Sequence, residues 1–320
     1  MSAMDSALRT AVDRVLDDCL AVAEGEQVVV VTDPSAREVA EPLVAGARER
    51  RAEGILIEMA ARETHGTEPP ACVATAMLGA DVLICPTTKS LSHTEARHAA
   101  CERGVRAATM PGITLDMLTR TMSADFSEVR RRSRAVAEAL SSGRRVHITT
   151  TNGTEVTFSI EGRSGIADDG DLRSTGAFGN LPAGEGFIAP VEGQTNGRIV
   201  FDGTMWPVGK LTEPLVVEIV DGYATSFSGR DAAKVRALLE PYGKEAFAVA
   251  ELGIGTNESA ALTGNVLEDE KILGTIHVAL GDNHSFGGTI RVPSHQDGIV
   301  LSPTVEVDGR RILDDGRFML

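Results

Sequence analysis

The sequence predicts an α/β fold class: an N-terminal parallel α/β domain over residues 1–143 and a C-terminal, mainly antiparallel β (α+β), metal-binding domain over residues 144–320. Three observations predict it. Short β-branched runs alternate with helical patterns in the first part, the signature of βαβ units and a parallel sheet. From Arg145 the texture changes to period-two alternation around Asn-Gly and Asp-Gly pairs, the turn residues of antiparallel hairpins. Histidines and carboxylates then gather in apolar, glycine-bounded segments, where burial demands partners.

In chain order, Gln27 to Thr32, Ile55 to Met59 and Asp81 to Pro86 read as strands. Ser35 to Glu38 reads as a capping box opening a helix to about Arg51. Asp125 to Glu128 repeats that logic for a helix ending near Gly143. His147 to Thr151 and Glu155 to Ser159 flank Asn152-Gly153 as a hairpin, and Asp221-Gly222 and Asp308-Gly309 sit between similar extended runs. One helix is expected from about Arg230 to Leu239, and the only tryptophan, Trp206, is expected in the core.

Composition excludes several classes. With 31 Lys+Arg against 46 Asp+Glu the formal charge is -15, and the one basic cluster, Arg130 to Arg132 with Arg134, reads as a solvated helix face, so no nucleic acid is expected as a partner. The longest uncharged run, Pro69 to Ala80, falls short of the roughly 20 apolar residues that a span requires. Met1 to Ser6 carries an acidic residue at once, unlike a signal peptide. No membrane association and a cytoplasmic location are therefore expected. Cys19, Cys72, Cys85 and Cys101 form no C-x-x-C pair and read as buried thiols, not as a zinc site or a disulfide framework.

No P-loop, H-E-x-x-H or G-x-S-x-G is present, and Gly253 to Glu258 begins like a dinucleotide fingerprint but lacks its third glycine. The remaining constellation is one of imidazoles and carboxylates. In His295-Gln296-Asp297 an extended backbone aims the first and third side chains at one face. His277 lies inside the apolar run Gly274 to Gly281, where a lone imidazole needs partners for both nitrogens. Glu251 and Glu185 sit among apolar and glycine residues, costly places for an unpaired charge. Imidazole and carboxylate without thiolate suit Zn, Co, Mn, Mg or Fe(II).

Four ordered motifs, Pro182 to Gly203, Ala250 to Asn257, Gly274 to Gly288 and Ser294 to Asp297, together resemble the thermophilic metallo-aminopeptidase family, peptidase family M29, over most of residues 145–320. The resemblance implies a metal site on Glu185, Glu251, His277, His295 and Asp297, holding two divalent ions of the Zn, Co, Mn or Mg kind. It also implies a homodimer and a hydrolase that releases N-terminal residues from a small peptide or amino-acid-derived substrate. Two such ions, roughly 3.5–4 Å apart, would share an activated water and a carboxylate bridge, for which Glu251 or Asp297 is the candidate.

His284 stands where that family places a catalytic Tyr. It is either an acid–base group or oxyanion stabiliser, or an exposed loop histidine. Asp282 and Asn283 read as turn formers. A related branch, the 2,5-dihydroxypyridine dioxygenases, is similar in length, in the Gly-Gly after the His277 segment and in H-x-D, and uses one ferrous ion. Those enzymes carry His in place of Glu251 and lack counterparts of Glu185 and His277, so the ligand set favours the hydrolase. The N-terminal domain reads as scaffold with a share in the cleft. A relative that binds without catalysis would leave these carboxylates uncompensated at several kcal/mol.

Overall fold

A computed structural model describes residues 5–320; residues 1–4, on which the leader reading partly rests, lie outside it. The chain divides into two compact units. One runs to Phe126 and includes Gly170–Ala183; the other takes Ser127–Asp169 and Gly184–Leu320. The helix Phe126–Ser142 therefore belongs almost wholly to the second unit, whereas the change of texture at Arg145 had put the boundary after it. Its Val136 and Leu140 join the core of that unit.

The first unit holds a five-stranded parallel sheet in the order Glu53–Glu58, Gln27–Thr32, Val82–Thr87, Arg106–Pro111, Phe178–Asn180. Val28 to Val31 are all buried, as expected of an uninterrupted apolar strand inside a parallel sheet. The last two strands carry no β-branched run, and packing, not propensity, makes them strands. The capping box does not form: Asp33 accepts the Ser35 N–H, and the helix starts at Arg37 after Ala36. No disulfide joins the cysteines among the described residues; Cys19 and Cys85 are buried as expected, but Cys72 is exposed and Cys101 only partly covered.

The second unit contains two antiparallel sheets. One has eight strands, ordered Tyr223–Ser228, Leu215–Val220, Thr195–Phe201, Glu155–Ser159, Arg145–Thr149, Thr304–Val307, Arg310–Asp314 and Arg317–Phe318. Asp221-Gly222 and Asp308-Gly309, like Asp315-Gly316, form two-residue turns in it with both residues at positive φ, the conformation that matches strand twist. The other has seven, ordered Gly209–Lys210, Thr204–Met205, His295–Val300, Ile276–Gly281, Val249–Gly255, Glu185–Ile188 and Ile166–Asp168. Ile148, Phe158, Ile199 and Val217 of the first share one buried cluster with Leu252, Ile254, Ile276, Val278 and Val300 of the second. The expected helix near Arg230 runs from Ala232 to Leu239. Among the described residues no helix is long and apolar enough to cross a membrane.

Candidate metal centre

Alternation along the strands of the seven-stranded sheet separates its two faces. Leu252, Ile254, Ile276, Val278 and Leu280 point into the apolar core. The opposite face carries the ionisable residues in register: Glu251 pairs with Ala279 and Ala279 with Asp297, while His277 lies between Gly253 and Ile299. Glu185 stands opposite Gly255. The small residues between them make room. A Cβ on Gly253 would lie 2.1 Å from the His277 ring, so glycine is what admits the imidazole there.

The five residues read from the sequence converge on this face. His277 Nε2 lies 3.1 Å from Glu185 Oε2 and 3.3 Å from Glu251 Oε1. His295 Nε2 lies 3.3 Å from Glu251 Oε2 and 3.5 Å from Asp297 Oδ1. Glu251 thus faces both imidazoles, one with each oxygen. Two three-residue groups result, Glu251 with His295 and Asp297, and Glu185 with Glu270 and His277; in each the donor atoms lie within 4.8 Å of one another. The His295 ring is oriented by its Nδ1, 2.8 Å from the Asp282 carbonyl oxygen, and by the edge of Phe286 at 5.9 Å.

The donor set fits divalent metal. Glu185 Oε2 and His277 Nδ1 are buried without a hydrogen-bond partner, and buried polar atoms left so are uncommon in a folded interior. Burial alone raises the Glu251 carboxyl, but hydrogen bonds from His277 and His295 more than reverse this and hold it down at about 2. Burial alone lowers the His277 imidazole, but Glu185 and Glu251 push it up to about 9. Without metal, therefore, His277 is protonated near neutral pH; burial lowers the His295 imidazole too, but Asp297 and Glu251 push it well above its ordinary range, so an ion held by His295 must displace a proton. We expect loading to release protons and affinity to climb as pH rises above neutral. Titration calorimetry in buffers of different ionisation enthalpy reads the number released; zero near neutral pH would contradict this protonation pattern.

Three further residues of this ionisable cluster, Lys271, Glu270 and Asp168, are absent from the sequence reading. Lys271 is 1% exposed, and its Nζ lies 2.5 Å from Glu185 Oε1, 2.7 Å from Glu270 Oε1 and 3.4 Å from Asp168 Oδ2. The available signal was the run Glu268-Asp269-Glu270-Lys271, four consecutive charges just before an apolar strand. Burial pushes Glu270 up to about 8 and Asp168 up to about 7, with Lys271 opposing in both cases.

Other sequence candidates fall outside this group. His284 is exposed in a short turn, where its Nε2 accepts from Arg291. Among the described residues no hydrogen bond or ion pair joins it to the five. Asn283 does serve the turn, accepting the Ile290 N–H. Trp206 is only half-buried, not a core residue, and its backbone N–H donates to the Asp297 carbonyl at 2.9 Å. In the arginine cluster, Arg132 is largely covered and pairs with Glu258, so that helix face is only partly solvated.

Over residues 7–320 the chain matches the NicX family, described as 2,5-dihydroxypyridine 5,6-dioxygenase. Its fold is similar to the solved structure of 2,5-dihydroxypyridine dioxygenase from Pseudomonas putida KT2440, with a TM-score of 0.83 and 18% identity over 98% of this chain and 96% of that one. It is also similar to wild-type AmpT from Thermus thermophilus, with a TM-score of 0.73 and 15% identity over 99% of this chain and 100% of that one. Comparison with curated protein sequences gives no match. At these identities the two structures establish a shared fold.

Proposed function

The chain belongs to the 2,5-dihydroxypyridine 5,6-dioxygenase (NicX) family, and from that premise we propose that it is a metal-dependent, single-ion dioxygenase that opens the ring of a small hydroxylated nitrogen heteroaromatic. The observation that carries this reading is the state of the two groups. Glu251, His295 and Asp297 form a compact three-ligand face with which, among the described residues, no lysine or arginine is paired, whereas Glu185 and Glu270 already share the Lys271 ammonium. One carboxylate more and one imidazole less than the usual two-His, one-carboxylate face distinguish it from common ferrous sites.

When bound, a ferrous ion at this face supplies the redox chemistry that dioxygen and an aromatic ring require. The chain supplies the rest. Glu251, His295 and Asp297 hold the ion, and the Asp282 carbonyl fixes which His295 nitrogen faces it. The edges of Phe286 and Phe187, 5.7 Å apart at their centroids, place apolar surface beside His295, suited to a flat ring. His277, with Nε2 between Glu185 and Glu251, holds its proton between these two carboxylates and so positions Glu251 beside the ion.

A second reading has its own support. Glu251 faces His277 with one oxygen and His295 with the other, the arrangement that a carboxylate bridging two metal ions would need, and this favours a two-ion aminopeptidase-type hydrolase with a water nucleophile. One experiment separates them. Protein loaded with Fe(II) under argon is given 2,5-dihydroxypyridine in an oxygen electrode, and in parallel an unblocked amino-acyl amide. Oxygen uptake matched to ring loss is expected. Amide hydrolysis with no oxygen uptake would overturn the dioxygenase in favour of the hydrolase.

A further inference from the structure

The buried ammonium of Lys271 is the least explained group in this unit. A fully buried lysine is costly unless paired, and this one faces three carboxylates. Two of them, Glu185 and Glu270, belong with His277 to the second three-residue group. The lysine therefore bonds two of the three residues that would otherwise hold an ion there. Across the whole face, Asp168, Glu185, Glu251, Glu270 and Asp297 supply five carboxylates, met by the imidazoles of His277 and His295 and, among the described residues, by this single ammonium. An ammonium is a point charge with three donors and no coordination demand, so it can compensate these oxygens permanently where a metal would exchange with solvent.

We infer that Lys271 serves as a built-in cation that fills the second position and restricts the centre to one exchangeable metal ion, a role that rests on the single-ion reading above. Lys271 is then a positioning residue: it fixes Glu185 through Oε1, leaving Oε2 turned towards His277. Removing the ammonium should convert the Glu185, Glu270 and His277 group into a second metal position.

The test uses Mn(II) alone as the probe, with equilibrium dialysis and electron paramagnetic resonance on the full chain stripped of metal. The wild type is expected to saturate at one Mn(II) per chain, even in large excess. Lys271→Ala is expected to take up two, with the resonance of a magnetically coupled pair, and to fall back to one when methylammonium is added. One ion in both proteins overturns the role of Lys271 while leaving the dioxygenase reading intact, since that reading fails separately, by absent oxygen uptake with one ion bound. If Lys271→Ala does not fold, Lys271→Met, which keeps the buried stem without the charge, takes its place: two ions support the inference, and one ion overturns it.

Discussion

Glu251→Ala is expected to abolish metal retention and lower turnover by more than about 100-fold, since even groups that only orient metal ligands are commonly worth about 10–100-fold. Among the described residues, Glu251 is the one side chain whose two oxygens face two imidazoles, at 3.3 Å each. Its loss leaves His277 and His295 without their shared acceptor and opens the group of Glu251, His295 and Asp297. The rest of its face contributes little to folding, because the apolar core lies on the other side of the same strand, through Leu252 and Ile254. The metal-free variant should therefore keep its circular dichroism spectrum. Metal content measured after gel filtration checks the expectation, and a variant that retains a full complement of ion would contradict the site.

The second large effect is expected from a residue with no functional group. Gly253→Ala introduces a Cβ only 2.1 Å from the His277 ring atoms Cε1 and Nε2, a separation no folded structure tolerates. Either the ring turns away from Glu185 and Glu251 or the strands Val249–Gly255 and Ile276–Gly281 part. Overpacking of this kind costs about 1–3 kcal/mol, and displacement of a residue beside the metal should cost about 10–100-fold in metal affinity. Thermal unfolding of the metal-free protein reads the first and competition with a chelating dye the second. Unchanged values in both would show that the imidazole does not occupy this position.

These two residues also show what the sequence could reveal. Glu251, like Glu185, His277, His295 and Asp297, stood out because a titratable side chain in an apolar, glycine-rich strand is chemically conspicuous, and strand periodicity placed His295 and Asp297 on one face. The hairpins at Asp221-Gly222 and Asp308-Gly309 were legible for a similar reason, since few residues adopt two consecutive positive φ values. Gly253 was read as part of a failed dinucleotide fingerprint, because nothing local reveals that the ring of His277, twenty-four residues on, lies across from it.

Lys271 was missed for the opposite reason: inside a charged run it resembles a surface lysine, and only the fold turns it inwards towards Glu185 and Asp168. Arg106–Pro111 and Phe178–Asn180 were invisible because their strand character comes from pairing with neighbours. His284 was singled out by position in a motif, and the turn that carries it leaves it exposed beside Arg291.

The most direct measurement of the central claim is a crystal structure of the chain loaded anaerobically with Fe(II), with anomalous data collected at the iron edge. One peak is predicted, within about 2.0–2.3 Å of Glu251, His295 and Asp297, with the Lys271 ammonium still bonded to Glu185 and Glu270. Two peaks, the second among Glu185, Glu270 and His277 with Lys271 displaced, would contradict a single-ion centre and return the site to a carboxylate-bridged ion pair.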